Sequence, residues 1–517
     1  MAIIIQKKES SINIINDQLA AGFQIVCSMP PSCVARANYD HKTIEFLSAD
    51  KNVLKSIEFL DVQYQDFAGL PTPWSGTFDD LLDKLNNEYF KESVAVSISG
   101  VSTEAKQDDE ITFLAQIKKL LSDAELRQDA FGRNRTSEPQ TIFDSKQVEN
   151  NQSLFFDDQT VSGTATSTYS ANKASTTLQV QNLIAGRRVR QTFRSFNYQS
   201  GKSQLIMRSG VFGDKVVGVT KRTGIYNDKN GLFFQYDKNG AAVVVRSFVS
   251  GAAVDTLIKQ SSWNTDRLDG GTASLINLDF KKTQVFVIDY AWLGVGTVAF
   301  GFLIDRKLHY CHFVNNANNL LNVYMSTPNL PLRTEIINDG TGAATDIVDI
   351  CSTVISEGGR QRSGLSFGIN RNAVPLTTLN DANRYILIGI RLKTTNLSAT
   401  IEILKAKVRC TSTAEYGVYL VLSPTIVGVA PTWIALANSS VEVCQPTNTT
   451  RITGGTVLDT DLGSDSAAFT VGTALEGNDV KIGSSITGVP QELFLCVQRL
   501  TGTTETFYAS LTIFENN

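Results

Sequence analysis

Between residues 284 and 313 the chain reads QVFVIDYAWLGVGTVAFGFLIDRKLHYCHF, three apolar, β-branched and aromatic runs broken by Gly or by short charged turns. Val298, Phe300, Phe302 and Ile304 fall on one face at period two, with Thr297, Ala299, Gly301 and Leu303 on the other. That alternation predicts strands of a packed β-sandwich. From about Thr136 to the end almost everything has the same character, with strand candidates separated by Gly, Asn and Asp turns at the spacing of sandwich folds. Asn230-Gly231 and Asn239-Gly240 bracket residues 232–236, and both dipeptides are hairpin signals. Further strands are expected at 385–392, 416–422 and 507–514. No fixed-period repeat occurs, which argues against a β-helix or a propeller.

The first 135 residues have a different pattern. Residues 1–98 read as a small α+β module, with strands at 23–27, 43–47 and 54–62 ahead of a helix over 77–89. Thr77 caps that helix, Asp79 and Asp80 sit in its first turn, and Phe78, Leu81, Leu82, Leu85 and Tyr89 make its buried stripe. The module has the size of an attachment domain. Residues 99–135 are charged and helical in pattern, and Phe113, Ile117, Leu120 and Ala124 are spaced four, three, four, as in a coiled-coil seam. Two heptads fit an amphipathic helix packed on its own domain equally well. The expected organisation is therefore mainly β: an N-terminal module (1–98), a helical connector or short coiled coil (99–135), a jelly-roll or lectin-like β-sandwich (136–380) and a C-terminal β domain (381–517). A softer stretch rich in Gly, Asn, Thr and Ser, 338–383, separates the last two.

A chain of 517 residues with 42% hydrophobic and 19% charged residues is globular and large enough for several cores. The formal net charge of −4 gives no reason to expect a nucleic-acid partner. No apolar run has the length of a membrane helix, and the N-terminus MAIIIQKKES lacks a signal-peptide pattern, so the protein is expected to be made in a cytoplasm. The seven cysteines include no C-x-x-C pair and lie mostly in apolar runs, the pattern of buried free thiols.

Candidate chemistry is sparse. Gly364-Leu365-Ser366-Phe367-Gly368 spells G-x-S-x-G, but no histidine follows His312, so a hydrolase triad in Ser–Asp–His order is excluded. His309 and Cys311 share a strand face while His312 points the other way, so strand alternation opposes a zinc site there, and the only other histidine is His41. Asp228-Lys229-Asn230-Gly231 opens like a calcium loop, but its twelfth position is Asn239 where an EF-hand needs Glu. Ser200-Gly201-Lys202-Ser203 has Phe196 where a P-loop needs Gly. Arg187, Arg188, Arg190 and Arg194 form a basic cluster, read as a salt-bridge network between copies of the chain. Asp157, Asp158, Asp266, Asp269, Asp289 and Asp305 lie near strand ends, where Asp usually makes turns. No cofactor, metal or catalytic residue is assigned. For carbohydrate, Trp263 with Asn264 and Asp266, or Tyr226 with Asn227, are the candidate contacts.

Several segments resemble a widespread family of tailed-bacteriophage virion proteins: IFDSKQVENNQSLFFDD (142–158), TYSANKASTTLQV (168–180), RVRQTFRSFNYQSGKSQLI (188–206), WLGVGTVAFGFLIDRKLHYCHFVNNANNL (292–320) and VYMSTPNLPLRTEI (323–336). VSTEAKQDD (101–109) is similar to the linker ahead of such appendage domains, and IGIRLK (388–393) and ITGGTV (452–457) resemble landmarks of the C-terminal part. The resemblance covers about residues 100–500 and carries no catalytic motif. It implies a structural fibre or decoration protein on the phage head, or on the tail, assembled in the host cell and attached through residues 1–98. Its expected partners are itself, as a trimer or a dimer, and other virion proteins, without nucleic acid or membrane insertion. The alternative is a receptor-binding tail protein that reads host-surface glycan, and a glycan depolymerase ranks below both.

Overall fold

The computed structural model describes the backbone of eight strands between Ile3 and Pro73, and residues 137–516 apart from 272–273, 360, 362, 465–468 and 472–480. The chain divides into two compact units, Met1–Arg135 and Thr136–Asn517. In the first, β1 (Ile3–Lys8), β2 (Ser11–Asn16), β3 (Gln24–Met29), β7 (Val62–Gln65) and β8 (Pro71–Pro73) form a sheet in the order β3-β2-β1-β7-β8. Between them β4 (Val34–Asn38), β5 (Thr43–Leu47) and β6 (Val53–Glu58) make a separate meander. The helix expected at 77–89 and the seam of Phe113, Ile117, Leu120 and Ala124 lie outside the described residues.

The second unit is two β-sandwiches. The first uses β9 (Pro139–Lys146), β10 (Phe156–Gly163), β11 (Thr166–Ser170), β12 (Ser175–Val180) and β13 (Gly186–Thr192). It continues with β14 (Ser203–Val211), β15 (Val219–Tyr226), β16 (Gly231–Asp237), β17 (Gly240–Ser247) and β18 (Val254–Lys259). Its last strands are β19 (Gln284–Tyr290), β20 (Val298–Ile304), β21 (Lys307–Val314), β22 (Leu332–Asn338) and β23 (Thr345–Glu357). A seven-stranded sheet runs β10-β13-β22-β15-β16-β17-β18, and the facing sheet runs β11-β12-β23-β14-β19-β20-β21, with β9 added to β23. The predicted meander at 284–313 is β19-β20-β21. Both residues of the Asp305-Arg306 turn have positive φ, which matches the twist of a two-residue hairpin. Val298, Phe300 and Phe302 point inward, and Phe302 packs on Phe286 and Phe234 with ring centroids 5.5 and 5.1 Å apart.

The second sandwich begins with β24 (Gly364–Thr377), β25 (Arg384–Leu392), β26 (Thr400–Cys410) and β27 (Tyr416–Leu422). The short β28 (Thr425–Gly428), β29 (Ile434–Ala435), β30 (Val441–Cys444) and β31 (Thr450–Thr453) follow. It closes with β32 (Thr456–Gly463), β33 (Phe469–Val471), β34 (Leu493–Arg499) and β35 (Thr506–Asn516). One sheet runs β24-β35-β26-β33 and the other β28-β31-β25-β34-β27-β32, with β30 and β29 on the β25 side. Between them lie Leu387, Ile390, Val418 and Leu495 against Ile401, Val408, Leu511 and Ile513. The outer strand β24 pairs regularly with β35 from Gly364 to Arg371, then breaks register and resumes at Leu376. Among the described residues no helix is long and apolar enough to cross a membrane.

One expectation changes. Residues 338–383 do not separate the domains. They contain β23, central in the first sandwich, and β24, the first strand of the second, so the seam falls between Glu357 and Gly364 and not at 380. The stretch looked soft because many of its polar residues point inward or lie on an outer strand: Asp349, Ser352 and Ser356 are all buried.

Phe302 is fully buried amid aromatic rings. Replacing it with Ala should lower unfolding stability by ~3–5 kcal/mol, read as an earlier denaturant midpoint in tryptophan fluorescence. An unchanged midpoint would contradict this core.

Candidate functional site

Strand alternation divides the side chains of the seven-stranded sheet between two faces. Inward go Val219, Ile225, Leu232, Phe234, Val243, Leu332 and Ile336. Outward go Arg187, Val189 and Gln191 from β13, Arg333 and Glu335 from β22, Arg222 and Tyr226 from β15, Phe233 and Gln235 from β16, and Val244 and Arg246 from β17. The registers align these residues across the sheet: Val189 opposite Glu335, Arg222 opposite both Glu335 and Gln235, and Phe233 opposite Val244.

Aromatic rings floor this outer face and guanidinium groups cover them. Tyr226 and Phe233 lie 4.4 Å apart, fully buried, with Val244 beside them. Arg246 lies over both rings at 5.9 and 5.1 Å, Arg333 over Tyr226 at 5.4 Å and Arg222 over Phe233 at 5.5 Å. Gly224, between Arg222 and Tyr226 on the same face, makes the close packing feasible: a Cβ there would stand 2.6 Å from the Phe233 Cα.

The arginines are in turn held by carboxylates. Arg187 Nη2 donates to Glu335 Oε2 at 2.6 Å and to Asp228 Oδ1 at 2.8 Å. Arg333 Nη1 donates to the same Asp228 oxygen at 2.6 Å, and its Nε to Gln191 at 2.7 Å. Arg222 donates to Glu335 Oε1 at 3.1 Å and to Gln235 at 2.8 Å. Arg246 grips Asp255 through two parallel bonds of 2.7 and 2.8 Å. Burial pushes the Asp228 carboxyl up, but Arg333 and Arg187 outweigh it and hold it down at about 2. Burial pushes the Tyr226 hydroxyl up, and this hydroxyl has no hydrogen-bond partner.

A second ionic cluster lies on the inner face, between the sheets. Asp349 of β23 accepts from Arg208 Nη2 at 2.7 Å, Arg190 Nε at 3.2 Å and Thr334 Oγ1 at 3.2 Å. Arg208 also donates to the Gly224 carbonyl of the opposite sheet. Burial pushes Arg190 down, against the opposing pull of Asp349.

The residues singled out for carbohydrate are placed otherwise than expected. Trp263 is buried in the core and its indole N–H donates to the Ile258 carbonyl at 3.3 Å, so it offers no exposed ring. Asn264 pins the same loop to β21, donating to the Phe313 carbonyl at 2.8 Å and accepting from the Phe313 amide at 2.9 Å. Asp266 accepts from the Leu268 amide at 2.9 Å. These three stand together, whereas Tyr226 belongs to the outer face of the other sheet, beneath its arginines. The basic cluster at 187–194 is neutralised or stacked inside the chain: Arg188 donates to Asp158 at 2.6 Å, and Arg194 lies over Phe143 and Phe196. A network between copies is not needed to account for it.

The other sequence candidates resolve into turns and strands. Gly364–Gly368 begins β24, with strand on both sides of Ser366. Asp228–Asn230 lie in the β15–β16 connection and Gly231 opens β16; in the turn Asn227 Oδ1 accepts from the amides of Lys229 and Asn230. Asp269 caps Gly271, and Asp289 accepts from the Tyr310 hydroxyl. Cys311 donates its thiol hydrogen to the Phe300 carbonyl. Among the described residues no three His, Cys, Asp or Glu side chains are grouped to hold a metal, and the five described cysteines are free. Glu335, Arg222, Arg246 and Arg333 were missed. The available signal was charge at alternate positions, Arg333 and Glu335 in LRTEIIN, within strands otherwise apolar.

No protein-family model and no curated protein matches the sequence. Among solved structures the chain is similar to the β-glucanase of Bacillus licheniformis (11% identity, TM-score 0.26, covering 44% of this chain and 99% of that one). It is also similar to a β-1,3-glucanase from Mycobacterium marinum (10%, 0.29, 42% and 98%) and to a legume lectin-like domain from Entamoeba histolytica (10%, 0.24, 39% and 90%). At these scores the likeness carries no functional argument.

Asp349→Asn leaves the buried Arg208 without a counter-charge and Arg190 with only Asp158 at 3.9 Å, and should cost ~3–5 kcal/mol of stability, measured by urea unfolding. For Asp228 the folded pKa of about 2 lies below the unfolded value. The unfolded chain therefore takes up the proton first, and the stability Asp228 contributes above pH ~4 is lost as pH falls toward 2. The gap in urea midpoint between wild type and Asp228→Asn should accordingly be wider at pH 5 than at pH 2.5. A gap that stays constant or widens with acid would refute the pairing.

Proposed function

We propose that the chain is a non-catalytic structural component of a tailed-bacteriophage particle, a fibre or decoration protein attached to the particle through residues 1–98. The observation that carries this reading is the use the fold makes of its charged groups. On the outer face both oxygens of Glu335 accept from arginine, and Asp228 is clamped between two guanidinium groups. A glycosidase needs one carboxyl that can deliver a proton to the leaving group and a second free to attack or to activate water. The carboxylates of this face are occupied in holding the surface rigid, which suits a scaffold. The resemblance of residues 100–500 to phage virion proteins points the same way.

A second reading, recognition of host-surface carbohydrate by the first sandwich, is favoured by the half-exposed Asp228 and the partly exposed Arg187 and Arg222 on that face. Polar groups fixed in advance over an apolar floor are what sugar hydroxyls require.

The deciding experiment is immunogold labelling, with peptide mass spectrometry, of density-purified particles from cells producing the phage that encodes this chain. Gold at regular positions on heads or tails, with stoichiometric peptides, is expected. Recovery only in the particle-free lysate would overturn the structural reading. On a glycan array, binding abolished by Arg222→Ala would support the carbohydrate reading, and release of reducing sugar from host envelope would contradict the non-catalytic one.

A further inference from the structure

In the four-stranded sheet of the second sandwich, one face closes the core; the other is buried at Glu402 and Phe514 and meets solvent from Lys405 onward. On the solvent side β26 carries Lys405, Lys407 and Arg409 at alternate positions, all exposed. A strand advances ~3.3 Å per residue, so the three cations form a line ~13 Å long. The register sets Thr512, Ser510 and Tyr508 of β35 beside them, all half-buried. Beyond, on β24, Gly368 lies opposite Thr512 and Asn370 opposite Ser510, both exposed. None of the three cations makes an ion pair or a side-chain hydrogen bond with a described residue. Elsewhere in the second unit Arg187, Arg188, Arg208, Arg222, Arg246 and Arg391 are each matched to a carboxylate.

We propose that this face binds an acidic glycan, a sugar polymer bearing repeated carboxylate or phosphate groups of the kind found on cell envelopes. Three unneutralised cations in line suit a chain of repeated negative charges better than a single small anion. The Tyr508 ring, next to Arg409 on the adjacent strand, offers an apolar plane for a sugar ring, and its hydroxyl a polar end. Ser510, Thr512 and Asn370 supply donors and acceptors for sugar hydroxyls along the same line. At Gly368 a Cβ would meet nothing within 4 Å, so a polymer can reach the backbone there.

Two other occupants fit less well. Single-stranded nucleic acid is held by successive aromatic platforms, and beside the three cations stands one ring, Tyr508, the Phe514 ring of the same strand face being buried, on a chain of net charge −4. A second copy of the chain would need an apolar centre to its interface, and the outward positions here are polar. The inference does not depend on the chain's being a particle component.

The test uses the full-length protein and biolayer interferometry on immobilised polygalacturonate and poly(glycerol phosphate), with neutral dextran and single-stranded oligothymidylate as controls. Expected are binding to at least one acidic polymer, none to dextran, and loss of the signal with added salt. The variant Lys405→Ser/Lys407→Ser/Arg409→Ser should bind about tenfold or more weakly, with circular dichroism and melting temperature unchanged. If that variant does not fold, Lys407→Glu alone must weaken binding while Lys407→Arg retains it. The polymer that binds tells carboxylate from phosphate recognition. The proposal is overturned if neither polymer binds, if the substitutions leave affinity unchanged, if oligothymidylate binds as tightly, or if the triple variant lowers the oligomeric mass in solution. Binding by a protein that is absent from purified particles would leave this inference standing and remove the particle assignment alone.

Discussion

The carboxylate of Asp349 is the constraint on which the first sandwich depends. It stands on β23, buried between two sheets, and takes hydrogen bonds from Arg208 on its own sheet and from Arg190 and Thr334 on the other. Apolar packing fixes how close two sheets lie, but it is tolerant of sliding. A buried ionic cluster is not, because displacement by a fraction of a bond length leaves a charge uncompensated where water cannot reach it. In the second sandwich a buried arginine joins the sheets through carbonyls. There Arg371 is buried and donates across the core to the carbonyls of Ile386, Leu387 and Pro446, and burial pushes it down to about 10.

Fixing the sheets against each other gives the outer face of the seven-stranded sheet its order. Tyr226 and Phe233 can be covered by arginine only because the strands beneath keep one register from β13 to β17. Each of Arg222, Arg246 and Arg333 serves twice, lying over a ring and bonding to a carboxylate or an amide, as the planar fork of arginine permits and an ammonium group does not. The outcome is a surface whose polar groups are positioned before any partner arrives.

Much of the architecture could be read from the sequence because local pattern and tertiary structure agree there. The meander at 284–313 alternates cleanly, and the hairpins around residues 232–236 carry Asn-Gly at both ends. Reading failed where inward positions were polar. Asp349, Ser352 and Ser356 made β23 look like a linker, although they face the core of the first sandwich. Aromatic residues beside Asn or Asp suggested sugar contacts, yet Trp263 faces inward and Tyr226 lies under arginine. Neighbours in sequence do not show which strand will stand opposite, and that pairing decides which rings are covered. The exposed cations of β26 were equally silent, since a lysine at every second position has the same appearance whether its partner is a glutamate or solvent.

The break in β24 bears on how copies of this chain avoid one another. An outer strand fourteen residues long offers its backbone donors and acceptors to any other strand that approaches. Here the interruption between Arg371 and Leu376 contains Pro375, which has no N–H to give, and it bends the edge midway. A foreign strand could pair with half of β24 but could not run its length. The flaw in the ladder thus protects against sheet-to-sheet aggregation when many copies are crowded together.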